Sequence, residues 1–193
     1  MKNRLLGMIL IALMFMVSCK QATKEIETVT EEVTVEEEKP DYALFEKRAD
    51  LVRAFIKAHC EENLEVMDNM LSDTLKWNPP MYTGDQWLGK DDILPILKSY
   101  HTDYENIKFA EGIGLPNGET EGGIWSGSAY PEATANSNPT ALRVYGTWTA
   151  KHTESSKEIG VKWFGLYWIG DDDKIYMMTE YFDVHGLAAQ IAD

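Results

Sequence analysis

The sequence predicts an α+β domain in which helices come first and a run of long strands follows. Three observations carry this expectation. Apolar residues recur at helical spacing between Tyr42 and about Asp103. From Ile107 onward the pattern switches to segments rich in aromatic and β-branched residues, separated by turn residues. The chain has 193 residues, 44% of them hydrophobic and six of them Trp, which suits one packed domain and is too little for two large ones.

The first segment stands outside that domain. Lys2 and Arg4 supply a positive start, and Leu5 to Val17 is an almost unbroken apolar run. Thirteen residues are too few for a stable helix across a bilayer, so residues 1–19 read as a secretory signal peptide. The run ends in Ser18-Cys19, a small residue before a cysteine, which resembles the lipobox of bacterial lipoproteins. That resemblance implies a Cys19 sulfur carrying an acyl chain such as palmitate. It also implies a protein held in the bacterial cell envelope, on the periplasmic face of a membrane or at the cell surface. With Cys19 lipidated, Cys60 has no partner for an intramolecular disulfide and reads as a small buried helix residue.

Residues 20–41 follow as an acidic tether. Lys20 to Pro40 holds seven Glu, three Lys and no aromatic residue. Such a stretch buries too little apolar surface to offset the entropy of ordering it, so it reads as a solvated spacer or as a frayed acidic helix leading into the domain. The whole chain carries a formal charge of −14, which disfavours nucleic acid as a partner because that partner needs a basic footprint.

The domain then runs from residue 42 to 193. Leu44, Phe45, Ala49, Val52, Phe55, Ile56 and His59 recur at helical spacing, an amphipathic helix of about five turns. Leu64 to Leu71 continues as a short second helix, and Thr74 to Trp77 is a strand fragment ended by Pro79-Pro80. Asp91 opens a third helix to about Asp103, with Pro95 tolerable in its first turn. Ile107 to Ile113, Ala141 to His152, Glu158 to Ile169 and Lys174 to Asp183 read as strands. The Gly-rich and Pro-rich stretch 112–139 is too long for an ordinary hairpin loop and reads as a functional loop, a lid or a tolerated insertion.

This order resembles the nuclear transport factor two superfamily, in particular the SnoaL-like group of polyketide cyclase relatives. Pro80, Gly89, Lys90 and Ile93 match the family's middle motif, and Tyr181, Phe182, Asp183 and Leu187 match its terminal one. The resemblance implies a cystatin-like roll: a curved antiparallel sheet forms a cone around the N-terminal helices, with a pocket at its wide end. It also implies a carboxylate near the end of the last strand, serving as general base in several relatives. Desolvation in an apolar pocket would raise that carboxylate towards the working pH. Asp183 is the candidate, sharing a strand face with Tyr181 if no bulge intervenes, and Tyr181 or Tyr82 would steady an oxyanion. Asp183 also precedes a helical turn, where Asp is a preferred N-cap.

Tyr82 and Trp87 flank the Gly84 loop, which the resemblance puts at the cone's mouth, so they read as ligand-stacking groups or as closure of the core. His59 and Trp163 are further candidates for contacting a ligand, each with a core role as the alternative. The chain has no Gly-rich phosphate loop, no Gly-x-Ser-x-Gly, no His-Glu-x-x-His and no metal spacing among its four His. No cofactor and no metal are therefore expected. The superfamily's epoxide hydrolases use an Asp-Arg-Asp set, and Arg48, Arg53 and Arg143 fall in no such motif.

The expected function is a membrane-anchored domain that binds a small apolar or aromatic molecule. The alternatives are an isomerase, cyclase or dehydratase using Asp183, and a non-catalytic interaction module that dimerises through its sheet face. The anchor is directly testable. Radiolabelled palmitate should enter the wild-type protein, and Cys19→Ala should leave it unprocessed or released from detergent-extracted membranes; no label in the wild type overturns the lipid.

Overall fold

The computed structural model describes residues 42–126 and 141–192. Cys19 and the tether lie outside the described residues, as does the last part of the 112–139 stretch. Helix α1 (Ala43–Cys60) buries Ala49, Val52, Phe55 and Ile56, the stripe its apolar spacing marks out. Helix α2 (Leu64–Met70) starts where the Asn63 side chain accepts the Val66 N–H at 3.1 Å. Strand β1 (Leu71–Asn78) is longer than the fragment expected. Helix α3 (Lys90–Asp103) begins where the Asp92 carboxylate accepts the Gly89 N–H at 2.8 Å.

Lys90 explains why α3 starts there. Its ammonium lies 2.8 Å from Asp68 and 3.2 Å from Asp73 and donates to the Leu71 carbonyl at 3.3 Å, tying the helix start to α2 and β1. None of the described helices is long and apolar enough to cross a membrane. Cys60 is half-buried at the end of α1, and burial pushes its thiol pKa up.

The strands that follow are β2 (Tyr104–Glu111), β3 (Ile113–Gly114), β4 (Thr120–Glu121), β5 (Ile124–Ser126), β6 (Ala141–His152), β7 (Glu158–Ile169) and β8 (Ile175–Phe182), with helix α4 (Val184–Ile191) last. Five of these strands join β1 in one six-stranded sheet in the order β1-β8-β7-β6-β2, with β5 also on β6. The sheet is mixed and not wholly antiparallel, because β1 runs parallel to β8. The β6 and β7 boundaries fall where the sequence pattern put them.

β2 and β5 share one edge of β6. β2 leaves it at Glu111, opposite Gly146, and β5 rejoins it at Ile124, opposite Val144. Between them Tyr145 accepts the Gly112 N–H at 2.8 Å and donates its own N–H to the Gly123 carbonyl at 2.9 Å. The β3–β4 hairpin therefore stands on a single rung of the sheet. That part of the 112–139 stretch is sheet edge and hairpin.

The sheet's inner face carries the core. Leu142, Val144, Trp163, Tyr167, Ile169, Ile175 and Met178 pack with the buried stripe of α1. Two glycines make room on this face: the Phe109 ring lies where a Gly146 Cβ would stand, and the Trp163 indole lies where a Gly165 Cβ would stand. Trp163 is 5% exposed and is held in place by its hydrogen bond to Glu180 and by the rings of Phe109, Trp148 and Tyr167. Gly165→Ala should therefore destabilise the fold by about 1–3 kcal/mol, lowering the melting temperature by roughly 2–4 °C per kcal/mol. A thermal melt at wild-type temperature would show that the indole moves at no cost.

Candidate functional site

Helices α1 and α3, the inner face of β2, β6, β7 and β8, and the start of α4 line a half-open cavity of about 110 Å³. Its walls are mostly apolar, including Phe55, Leu97, Ile107, Trp148, Phe182 and Leu187. Trp148 packs against Phe109 at 4.5 Å between centroids and lies edge-on to Trp163 at 6.2 Å, which stiffens that wall. The polar side chains at the cavity include Glu180, His59, Tyr100, Tyr104 and Tyr167.

Glu180 owes its position to strand register. β8 pairs with β7 through Met178↔Tyr167, Glu180↔Gly165 and Phe182↔Trp163, after a bulge at Tyr176. Side chains alternate faces along a strand, so Met178, Glu180 and Phe182 point inward with Tyr167 and Trp163. Trp163 Nε1–H donates to the Glu180 carboxylate at 3.2 Å. Burial pushes the Glu180 pKa up, and the indole N–H groups of Trp163 and Trp77 restrain the rise. Trp77 Nε1 is itself buried and reaches no full hydrogen bond.

The phenols and the imidazole respond to the same surroundings. Tyr100 is pushed up to about 12 by burial, then by the charges of Glu180 and Tyr104, and Tyr167 is raised for the first two reasons. Both are neutral donors at physiological pH. His59 is pushed down to about 3, first by burial and then by His101. Its Nδ1 lies 2.9 Å from His101 Nε2, and its ring meets Trp148 edge to face at 5.1 Å. The result is a carboxyl with raised proton affinity, neutral phenols and a neutral imidazole around one apolar space. Such a set can bind an uncharged molecule and can move a proton on it.

The sequence candidates divide between inside and outside. His59 and Trp163 line the cavity. Asp183 does not: it is exposed, and its carboxylate accepts the Gly186 N–H at 2.7 Å as the N-cap of α4. It does share the face of Tyr181, but that face is the outer one, where Tyr181 is 55% exposed and stacks on Phe164 at 5.9 Å. Tyr82, 88% exposed, and Trp87, 46% exposed, also stay outside. The paired backbone of Trp77 and Leu88 draws only the end of their loop inward.

Sequence reasoning missed Glu180, Tyr100, Tyr104 and the pairing of His101 with His59, and it read Tyr167 as core rather than as a ligand contact. A signal for Glu180 was present, as a charged residue between Met178 and Phe182 in an apolar alternation. Among the described residues no three or more His, Cys, Asp or Glu gather in a metal-holding group.

Solved structures share this fold. A candidate polyketide cyclase from Xanthomonas campestris superposes with a TM-score of 0.57 at 13% identity, covering 78% of this chain and 100% of its own. A candidate isomerase from Bacillus subtilis gives 0.56 at 14% identity, covering 76% and 94%. An LEH-like epoxide hydrolase from M. tuberculosis gives 0.51 at 16% identity, covering 76% and 90%. The chain thus has the α+β cone of the nuclear transport factor two fold. No protein-family profile and no curated protein matches it.

The buried imidazole has a measurable consequence. His59 stays neutral in the fold to about pH 3, whereas the ordinary value is 6.5. Between these values the unfolded chain binds the extra proton, so stability falls as pH drops from 6.5 towards 3, by up to about 1.4 kcal/mol per unit. Glu180 works the other way: its raised folded value gives a contribution present at low pH and lost as pH rises. Urea midpoints of the wild type should decline over that acid range more steeply than those of His59→Phe. Parallel declines would mean that His59 charges readily in place.

Proposed function

We propose that the domain binds a small, uncharged, ring-sized organic molecule in the cavity between α1 and the inner face of the sheet. The observation that carries this is the cavity itself, apolar over most of its wall with a few polar side chains converging on it. A dry apolar cavity of roughly 150 Å³ accepts a benzene-sized guest, which sets the scale of ligand. The fold's occurrence in a candidate polyketide cyclase, a candidate isomerase and an epoxide hydrolase supports the same class of ligand.

Glu180 favours a second reading, a proton-transfer enzyme of isomerase, cyclase or dehydratase type. Glu180 takes the role the sequence offered to Asp183. Its carboxylate removes a proton from a carbon next to a carbonyl, a neutral phenol or imidazole donates to the resulting oxyanion, and the carboxyl returns the proton to the product. The raised carboxyl and neutral donors suit that division of work.

Two further elements complete the proposal. Lipid on Cys19, supported by the apolar run and the Ser18-Cys19 pair, would hold the domain at a membrane of the cell envelope. A homodimer through the outer sheet face is supported by the aromatic row across it. Trp125 stacks on Tyr145 at 4.9 Å, Tyr145 meets Phe164 at 4.7 Å, and Phe164 stacks on Tyr181.

Toluene should bind the wild type and perturb methyl and indole NMR signals of Ile107, Trp148 and Trp163. Ala150→Phe, which fills the cavity from β6, should abolish those shifts while the spectrum stays folded. No cavity signal responding to toluene would remove the binding reading. For the catalytic reading, the wild type should speed exchange of the α-hydrogens of cyclohexanone with D2O at least tenfold over Glu180→Gln; equal rates exclude Glu180 as the base.

A further inference from the structure

We propose that His101 holds His59 as an Nε2–H donor facing the cavity, so that the site selects ligands bearing a hydrogen-bond acceptor such as a carbonyl or ether oxygen. This rests on the cavity being a ligand site and adds which ligands it prefers.

The contact joins His59 Nδ1 to His101 Nε2 at 2.9 Å, and one proton lies between them. If His101 donates, His59 Nδ1 accepts and the His59 proton sits on Nε2. Both neutral rings are then in the Nε2–H form that histidine ordinarily favours. If instead His59 donates from Nδ1, His101 must accept at Nε2 and carry its own proton on Nδ1. That arrangement puts both rings in the less favoured form at once. The hydrogen bond at one ring nitrogen fixes what the other nitrogen carries.

Protonation of His101 leaves the outcome unchanged. His101 is half-buried in the last turn of α3; burial pushes its pKa down and the charge of Glu62 offsets part of that. A charged His101 carries N–H on both nitrogens and can only donate. His59 itself is held neutral on the cavity side, with Tyr100 and Trp148 against its ring. Both states of His101 therefore present the same Nε2–H group to the cavity. A neutral imidazole donor in an apolar space strengthens a hydrogen bond to an uncharged acceptor and offers nothing to a hydrocarbon.

Two measurements test this on the full chain. In nitrogen-15-labelled wild type, two-bond correlations should show His59 with a protonated Nε2 and a bare Nδ1. In His101→Phe the same signals should move towards a mixture of the two forms. A protonated His59 Nδ1 in the wild type overturns the assignment without any ligand. The second measurement compares cyclohexanone with methylenecyclohexane, which differ only in C=O against C=CH2. The ratio of their dissociation constants should shift against cyclohexanone by about three- to tenfold in His59→Phe, the size of one hydrogen bond. A ratio unchanged by that substitution overturns this inference and leaves the cavity reading standing. Binding of neither molecule to the wild type overturns both.

Discussion

The interior of this domain depends on the register between β7 and β8. Pairing Trp163 with Phe182, Gly165 with Glu180 and Tyr167 with Met178 settles which side chains meet α1 and which meet solvent. A slip of one residue would exchange the two faces. Tyr181 and Asp183 would then enter the cone, and Glu180 would leave it. The bulge at Tyr176 absorbs the mismatch between the strand and the turn before it, so the inward set is fixed ahead of the site. Gly146 and Gly165 act on the same face, giving up side chains so that Phe109 and Trp163 can lie flat and close the aromatic wall.

Much of the architecture was legible because its signals are local. Helical spacing marked α1 and α3, and the aromatic and β-branched runs marked β6 and β7 to the residue. The parallel contact of β1 with β8 was not legible, since it joins segments far apart in the chain and leaves no mark on either. The site was read less completely, for a reason specific to β8. Met178, Glu180 and Phe182 alternate with Thr179, Tyr181 and Asp183, and both sets mix apolar with polar residues. Period two separates the sets without saying which faces the core. Asp183 invited attention as the carboxylate at the strand end, yet the first turn of α4 needs a cap and uses it. Tyr82 and Trp87 misled in the same way, because a loop's composition does not say which of its residues the flanking backbone pulls inward.

The cavity is a region where local rules give way. A carboxyl held at raised proton affinity and an imidazole denied its proton each cost stability. Outside it the polar groups are placed more conventionally: Lys90 between two aspartates, Arg53 with its guanidinium 2.9 Å from Glu111, and Lys151 at 2.7 Å from Glu105. Concentrating unfavourable burial in one pocket is what a functional site requires of its surroundings.

The parallel pairing of β1 with β8 also sets an order of events. β1 lies directly after the first two helices, and its sheet partner is the last strand of the chain. The loop between them must close before Leu71 can meet Ile175, and that closure carries an entropic cost which local helix formation does not. α1 and the β6–β7–β8 meander join near neighbours through short turns, whereas the β1–β8 contact closes a loop of about a hundred residues. A chain stopped short of residue 175 would lack β8 and α4, and with them Glu180, Phe182 and Leu187 of the cavity wall and the sheet partner of β1.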